Sequence, residues 1–134
     1  MIISPYLHFR GECAEAIQFY EEAFGVKATV YRYGDALSEA EVDHRNQGLV
    51  AHAYMDIYGQ RIYLCDGAHI SWHEYGSNVA LQILVDHKID VVALHFKLGK
   101  DYVQSSMPRK VPWADYYCAV EDKFGVCWII QTSG

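Results

Sequence analysis

One short pattern occurs twice in this chain and sets what it can fold into. A strand-like start leads to an amphipathic segment that ends in Phe24-Gly25, and strand-forming stretches follow. The pattern restarts in the second half. Its amphipathic segment ends in Leu98-Gly99, and its last strands flank Asp122-Lys123-Phe124-Gly125. The order is strand, helix, three strands, given twice. One helix covers only one face of a four-stranded sheet, so each unit leaves its other face free, and pairing two units is the physical remedy. The expected fold is α+β: two βαβββ modules forming a cupped, mostly antiparallel sheet around a cleft. The modules are expected at 1–66 and 77–134, within a single domain spanning 1–134.

The local signals carry this reading. Residues 3–9 read as a first strand, with Pro5 tolerable near its start. Over 14–24, Ala16, Ile17, Tyr20 and Phe24 recur at helical spacing, while Glu15, Gln18, Glu21 and Glu22 take the wet side. Residues 26–33 have strand character, and 34–48 form a loop or short helix over the mouth of the fold. Residues 49–58 and 61–65 form a hairpin about Gly59-Gln60. Residues 66–77 are irregular, and 78–85 are a strand. Asp86 is expected to cap a helix near 87–98 whose apolar stripe is Ile89, Val92, Ala93 and Phe96. Further strands follow at 101–106, 113–120 and 126–131.

Composition narrows the function classes. The chain has 134 residues, 51% of them hydrophobic, enough for a substantial core. Net charge is −6 and no basic run exceeds two residues, so the positive stripe that a phosphate backbone needs is missing and nucleic acid is not an expected partner. Cys13, Cys65, Cys118 and Cys127 form no CxxC pair. No secretory leader is evident, and no apolar run approaches the ~20 residues that span a bilayer. A cytoplasmic protein with free, inert thiols and no membrane contact is expected. Eleven tyrosines suit sheet packing, and also pockets and interfaces.

An ordered set of motifs carries a resemblance over nearly the whole chain. It comprises Ser4-Pro5-Tyr6-Leu7-His8-Phe9 with Gly11, then Ala16-Ile17-Gln18-Phe19-Tyr20 and Phe24-Gly25. His52-Ala53-Tyr54-Met55-Asp56-Ile57, Leu64-Cys65-Asp66, Trp113-Ala114-Asp115-Tyr116 and Asp122-Lys123-Phe124-Gly125 with Trp128 complete it. The set resembles the vicinal-oxygen-chelate superfamily of glyoxalases, bleomycin-resistance proteins and dioxygenases. Within it, the PhnB-like branch, which carries a 3-demethylubiquinone 3-methyltransferase-like label, is the nearest match. In metal-using members, the first and last strands of each module supply the ligands. Carried over by motif, those positions fall at Pro5, Tyr63, Asn78 and Ile129, with no His/Glu quartet. Proline and isoleucine offer no side-chain donor, and asparagine and tyrosine are weak ones. The expectation is therefore no metal and no cofactor.

The candidate ligand-binding residues are Leu7, Phe9, His52, Tyr54, Tyr63, Asn78, Gln82 and Trp113; no catalytic residue is assigned. Tyr63 and Asn78 hold two former ligand positions. His52, Tyr54 and Asp56 alternate on one face of a strand, and Trp113, Asp115 and Tyr117 on another. If Pro5, Leu7 and Phe9 point into the cleft, His8 points toward the helix or an interface. His52 suits either a general base or a packed, hydrogen-bonded histidine. His69 and His73 have a metal-like spacing only if their segment is helical.

Three functions remain open at this point. One is a small-molecule binding protein, with the ligand in the inter-module cleft and no catalytic metal, for which bleomycin-resistance proteins are the resemblance-based precedent. Another is a metal-dependent glyoxalase- or dioxygenase-type enzyme. The third is a structural or regulatory homodimer. A homodimer is expected in any case, because relatives of this type commonly dimerise. The methyltransferase label finds no support in the residues, since a parallel sheet with a glycine-rich first turn is missing.

Overall fold

The computed structural model describes residues 1–36, 44–67, 75–101 and 104–133. The chain divides into two compact units, Met1–Glu74 and Tyr75–Gly134. Each repeats the strand, helix, strands order.

In the first unit, β1 (Tyr6–His8) leads to α1 (Cys13–Phe24), then β2 (Thr29–Arg32), a short helix α2 (Tyr33–Ala36) and a 3-10 turn (His44–Asn46). A hairpin of β3 (Val50–Ile57) and β4 (Gln60–Cys65) completes it. The sheet order is β1-β4-β3-β2, with β1 parallel to β4 and the other pairs antiparallel. α1 forms as its single apolar stripe predicts: Ala16, Ile17 and Tyr20 are buried with Cys13 and Ala23. Gly25 ends the helix at φ 66, its N–H bonded to the Glu21 carbonyl at 2.8 Å. The buried sheet residues Ala53, Met55, Ile57, Ile62 and Leu64 form the other half of this core. Each large aliphatic side chain buried here contributes roughly 1.5–3 kcal/mol.

Asp66 locks the unit. Its carboxylate is 3% exposed and accepts the N–H groups of Gly11 and Cys13 at 2.9 Å and of Val50 at 2.8 Å. One side chain thus ties the entry of α1 and the start of β3 to the end of β4. The hairpin turn is shifted from its expected frame. Ile57 pairs with Gln60, so the two-residue loop is Tyr58-Gly59 rather than Gly59-Gln60. Both loop residues have positive φ, 52 and 80. A turn that matches strand twist demands this, and Tyr58 adopts it while its ring packs edge-on against Phe24 at 5.9 Å.

In the second unit, β5 (Leu81–Val85) leads to α3 (Lys88–Leu98), then β6 (Gln104–Ser105), β7 (Arg109–Val111), β8 (Ala114–Glu121) and β9 (Cys127–Thr132). The order β5-β9-β8-β6 repeats that of the first sheet, again with a parallel first–last pair. β6 lies within the expected strand 101–106, and β7, which also pairs with β8, is a further short strand after it. Asp122 plays the locking part at the β8–β9 turn. It is fully buried, and its carboxylate accepts the N–H groups of Phe124 (2.9 Å) and Val126 (3.1 Å) and the Trp128 indole N–H (2.9 Å).

α3 corrects the expected stripe. Val91, Leu94 and Leu98 are buried, whereas Ile89, Val92, Ala93 and Phe96 are exposed, Phe96 by 80%. Both rows have helical spacing, so periodicity alone could not choose between them. The helix starts after His87 rather than Asp86 and has no side-chain cap. Gly99 caps its end, and a Cβ there would lie 2.6 Å from the His95 carbonyl oxygen, so the position requires glycine.

Candidate ligand face on the first sheet

Strand pairing builds this site. The parallel register sets Tyr6 against Tyr63, and the hairpin sets Tyr63 against Tyr54, so β1, β4 and β3 present three tyrosines in one row. His8 and His52, each two residues along its strand, share that face. β2 adds Tyr31, which pairs with His52. The alternate residues Leu7, Leu64 and Ala53 occupy the opposite, α1-covered face.

The rings contact one another. Tyr6 stacks with His8 at 5.1 Å and with Tyr63 at 5.6 Å. His52 lies 5.5 Å from Tyr63, 5.8 Å from Tyr6 and 6.1 Å from Tyr31. The Tyr6 hydroxyl is 2.8 Å from His52 Nδ1, and His8 Nδ1–H donates to the Tyr6 carbonyl at 3.2 Å. Arg61 closes one end of the row. Its guanidinium sits 4.0 Å over the Tyr54 ring and holds Asp56 at 2.9 and 3.1 Å. Asp56 is kept below the usual carboxylate range by that hydrogen-bonded pairing.

Burial, then the neighbouring Cys65 thiol, pushes the Tyr6 hydroxyl up to about 12. An activated phenolate would require the reverse shift, so Tyr6 is an orienting hydroxyl rather than a base. The thiols are equally unactivated. Burial raises Cys13 and Cys65, and pushes Cys118 up to about 11.

The structure brings His52, Tyr54 and Tyr63 together and separates Leu7 and Phe9 from them. Leu7 is on the opposite face, and Phe9 is 1% exposed in the core. The expected orientation of β1 is thereby reversed: His8 shares the polar face. In the second unit, Gln82 and Trp113 are joined through Gln131. The Trp113 indole N–H donates to Gln131 Oε1 at 3.1 Å, and Gln131 Nε2 donates to Gln82 Oε1. Trp113 also packs edge-on against Tyr117 at 6.0 Å. Asn78 is exposed and precedes β5 rather than lying in it; Gln82 is the residue paired with Ile129. His69 and His73 lie outside the described residues.

Sequence reasoning missed Tyr6, Tyr31 and Gln131. Tyr6 was visible as the polar partner of His8 by alternation, but the motif carry-over stopped one residue short, at Pro5. Among the described residues, no three His, Cys, Asp or Glu side chains form a metal-holding group. The parallel pairs at the first and last strands read Tyr6–Tyr63 and Gln82–Ile129, neutral oxygens at best, and this donor set does not fit a tightly held divalent ion. An open groove of about 610 Å³ beside Gln18, Glu21 and Glu22 belongs to the solvated surface of α1.

Two units with the same strand order, each closed by a parallel first–last pair, define a vicinal-oxygen-chelate protein. The chain belongs to the 3-demethylubiquinone-9 3-methyltransferase family, whose sequence model matches residues 1–131 and which corresponds to the PhnB-like branch. It is 29% identical to protein YjdN of Escherichia coli K12 over 146 residues, covering 98% of this chain and 95% of that one. Its fold is similar to that of PA1353 from Pseudomonas aeruginosa, with TM-score 0.86, 23% identity, and 99% and 98% of the two chains covered. The PhnB protein of Bacillus cereus gives TM-score 0.78 and 20% identity over 99% and 100%.

Proposed function

We propose that this chain binds a small molecule on the Tyr6–His52 face of its first sheet, without a catalytic metal. The observation that carries the proposal is the convergence of Tyr6, His52, Tyr54 and Tyr63 from three strands onto one partly exposed surface. Aromatic edges and hydroxyls of this kind combine apolar contact area with hydrogen-bonding groups. The glyoxalase- or dioxygenase-type alternative needs a Lewis-acid cation, for which these neutral donors are unsuited. Methyl transfer finds no parallel-sheet crevice in either mixed sheet.

The test is a fragment screen on the isotope-labelled protein, followed through ring and amide resonances. Binders should shift the His52 and Tyr63 ring signals, and Tyr63→Phe or Tyr54→Phe should weaken them without unfolding the chain. Binders that leave both rings unshifted would place the site elsewhere.

A homodimer is the second part of this reading, and the exposed row on α3 favours it. Ile89, Val92, Ala93 and Phe96 form an exposed apolar stripe, uncovered among the described residues. Set antiparallel about an axis between Val92 and Ala93, two copies would place Ile89 against Phe96. The apolar rows of the two copies then meet each other about the twofold axis. Light scattering should give twice the chain mass, and Phe96→Glu should return it to about the 15.3 kDa of one chain. A wild-type protein that stays at one chain mass over a tenfold concentration range overturns it.

A further inference from the structure

The hydrogen bond between Tyr6 and His52 restricts what the proposed face can accept. Tyr6 shares its hydroxyl between His52 Nδ1 and the neighbourhood of Cys65. An imidazole nitrogen is a far better acceptor than a thiol sulfur, so the phenol hydrogen goes to Nδ1. That bond leaves the ring proton on Nε2. No described group bonds Nε2, and the hydroxyls of Tyr54 and Tyr63 likewise donate to no described group. The face therefore offers one group that can only donate, the Nε2–H of His52, beside hydroxyls that donate or accept. Around them stand ring edges, which carry the positive end of the aromatic quadrupole and favour the electron-rich face of another ring.

We infer that the ligand is a planar aromatic molecule bearing a hydrogen-bond acceptor, such as a ring carbonyl, that takes the Nε2–H of His52, with Tyr6 as the positioning residue that holds this tautomer. This inference rests on the proposed ligand face and specifies its chemistry. A ligand offering only donors could bond the tyrosine hydroxyls, which accept as well as donate, but would leave the Nε2–H of His52 unpaired, and a purely aliphatic one would leave His52 and the tyrosine hydroxyls stripped of water without a partner.

The experiment compares two probes of similar shape, 7-methoxycoumarin, which has a lactone carbonyl, and 2-methoxynaphthalene, which lacks it. Binding is followed by nuclear magnetic resonance on the intact chain, with long-range 1H–15N correlations reporting the His52 tautomer. The wild type should show the Nε2–H tautomer and prefer the coumarin. His52→Phe keeps a ring and removes the donor, and should weaken the coumarin about tenfold, the effect of one lost hydrogen bond, leaving the naphthalene unchanged. Tyr6→Phe should mix the tautomers and weaken the coumarin by a smaller factor. Equal binding of both probes, with neither variant selective, overturns the acceptor requirement and leaves the ligand face standing. An Nδ1–H tautomer in the wild type overturns the role given to Tyr6. If neither probe shifts the His52 or Tyr63 ring, the inference fails; if fragments of other chemistry shift those rings, the face itself survives.

Discussion

Tyr6 and His52 meet across an intervening strand. Tyr6 is on β1 and His52 on β3, with β4 between them, yet the hydroxyl and Nδ1 are 2.8 Å apart. The contact ties the edge strand to the middle of the sheet. It also places the His52 imidazole beside a phenol whose ionisation burial disfavours.

An alkaline titration should reveal that phenol. Its folded value of about 12 lies above the unfolded value of about 10, so its contribution to stability is complete below pH 10 and is lost as pH rises toward 12. Absorbance at the phenolate band should show a late-ionising component, and Tyr6→Phe should reduce it by the amplitude of one tyrosine. A single transition near 10 for all tyrosines would contradict it.

The two buried aspartates should dominate a stability scan. Asp66→Ala or Asp122→Ala strands three donors each, two of them backbone N–H groups at least, and should cost roughly 3–5 kcal/mol in chemical denaturation. Asp56→Ala removes a solvent-exposed pair with Arg61 and should leave the midpoint nearly unchanged.

Thiol chemistry should follow burial. Cys13, Cys65 and Cys118 are buried, and Cys127 is partly accessible. A thiol-specific disulfide reagent at pH 8 should label Cys127 first and the other three only on unfolding. Rapid reaction of Cys65 in the folded protein would show that the Tyr6 face opens.

Metal content is predicted from donor chemistry. After dialysis against a chelator, elemental analysis should find no stoichiometric divalent ion, and titration with zinc, nickel, manganese or iron should reveal no tight equivalent lost on combined substitution of His8 and His52. One such equivalent would advance the enzyme reading.

Much of the fold could be read from the residues, for reasons that differ by element. α1 has one apolar stripe, so its buried face followed directly. α3 has two, and only packing against β8 and β9 selects Val91, Leu94 and Leu98. Gly59 marked the hairpin, but not that Tyr58 would share the left-handed conformation and shift the frame. The site was legible along strands and not between them. Alternation grouped His52 with Tyr54, whereas the place of Tyr6 beside Tyr63 depends on a register between segments far apart in sequence. That register reversed the orientation given to Leu7 and His8, and moved the first-strand position from Pro5 to Tyr6.

The parallel pairing of first and last strands also bears on synthesis. Among the described residues β1 pairs with β4 alone, so the N-terminal strand waits for that partner until Tyr63 has emerged from the ribosome. β5 waits in the same way for Trp128 to Thr132. Each unit must close a long loop before its sheet is complete, an entropic delay that favours slow folding. During that interval Tyr6, Leu7 and His8 form a short, unpaired aromatic-aliphatic edge. A nascent chain of this design would gain most from a chaperone in the seconds before its last strand arrives, and a truncation just short of β4 or β9 should aggregate rather than leave a folded half.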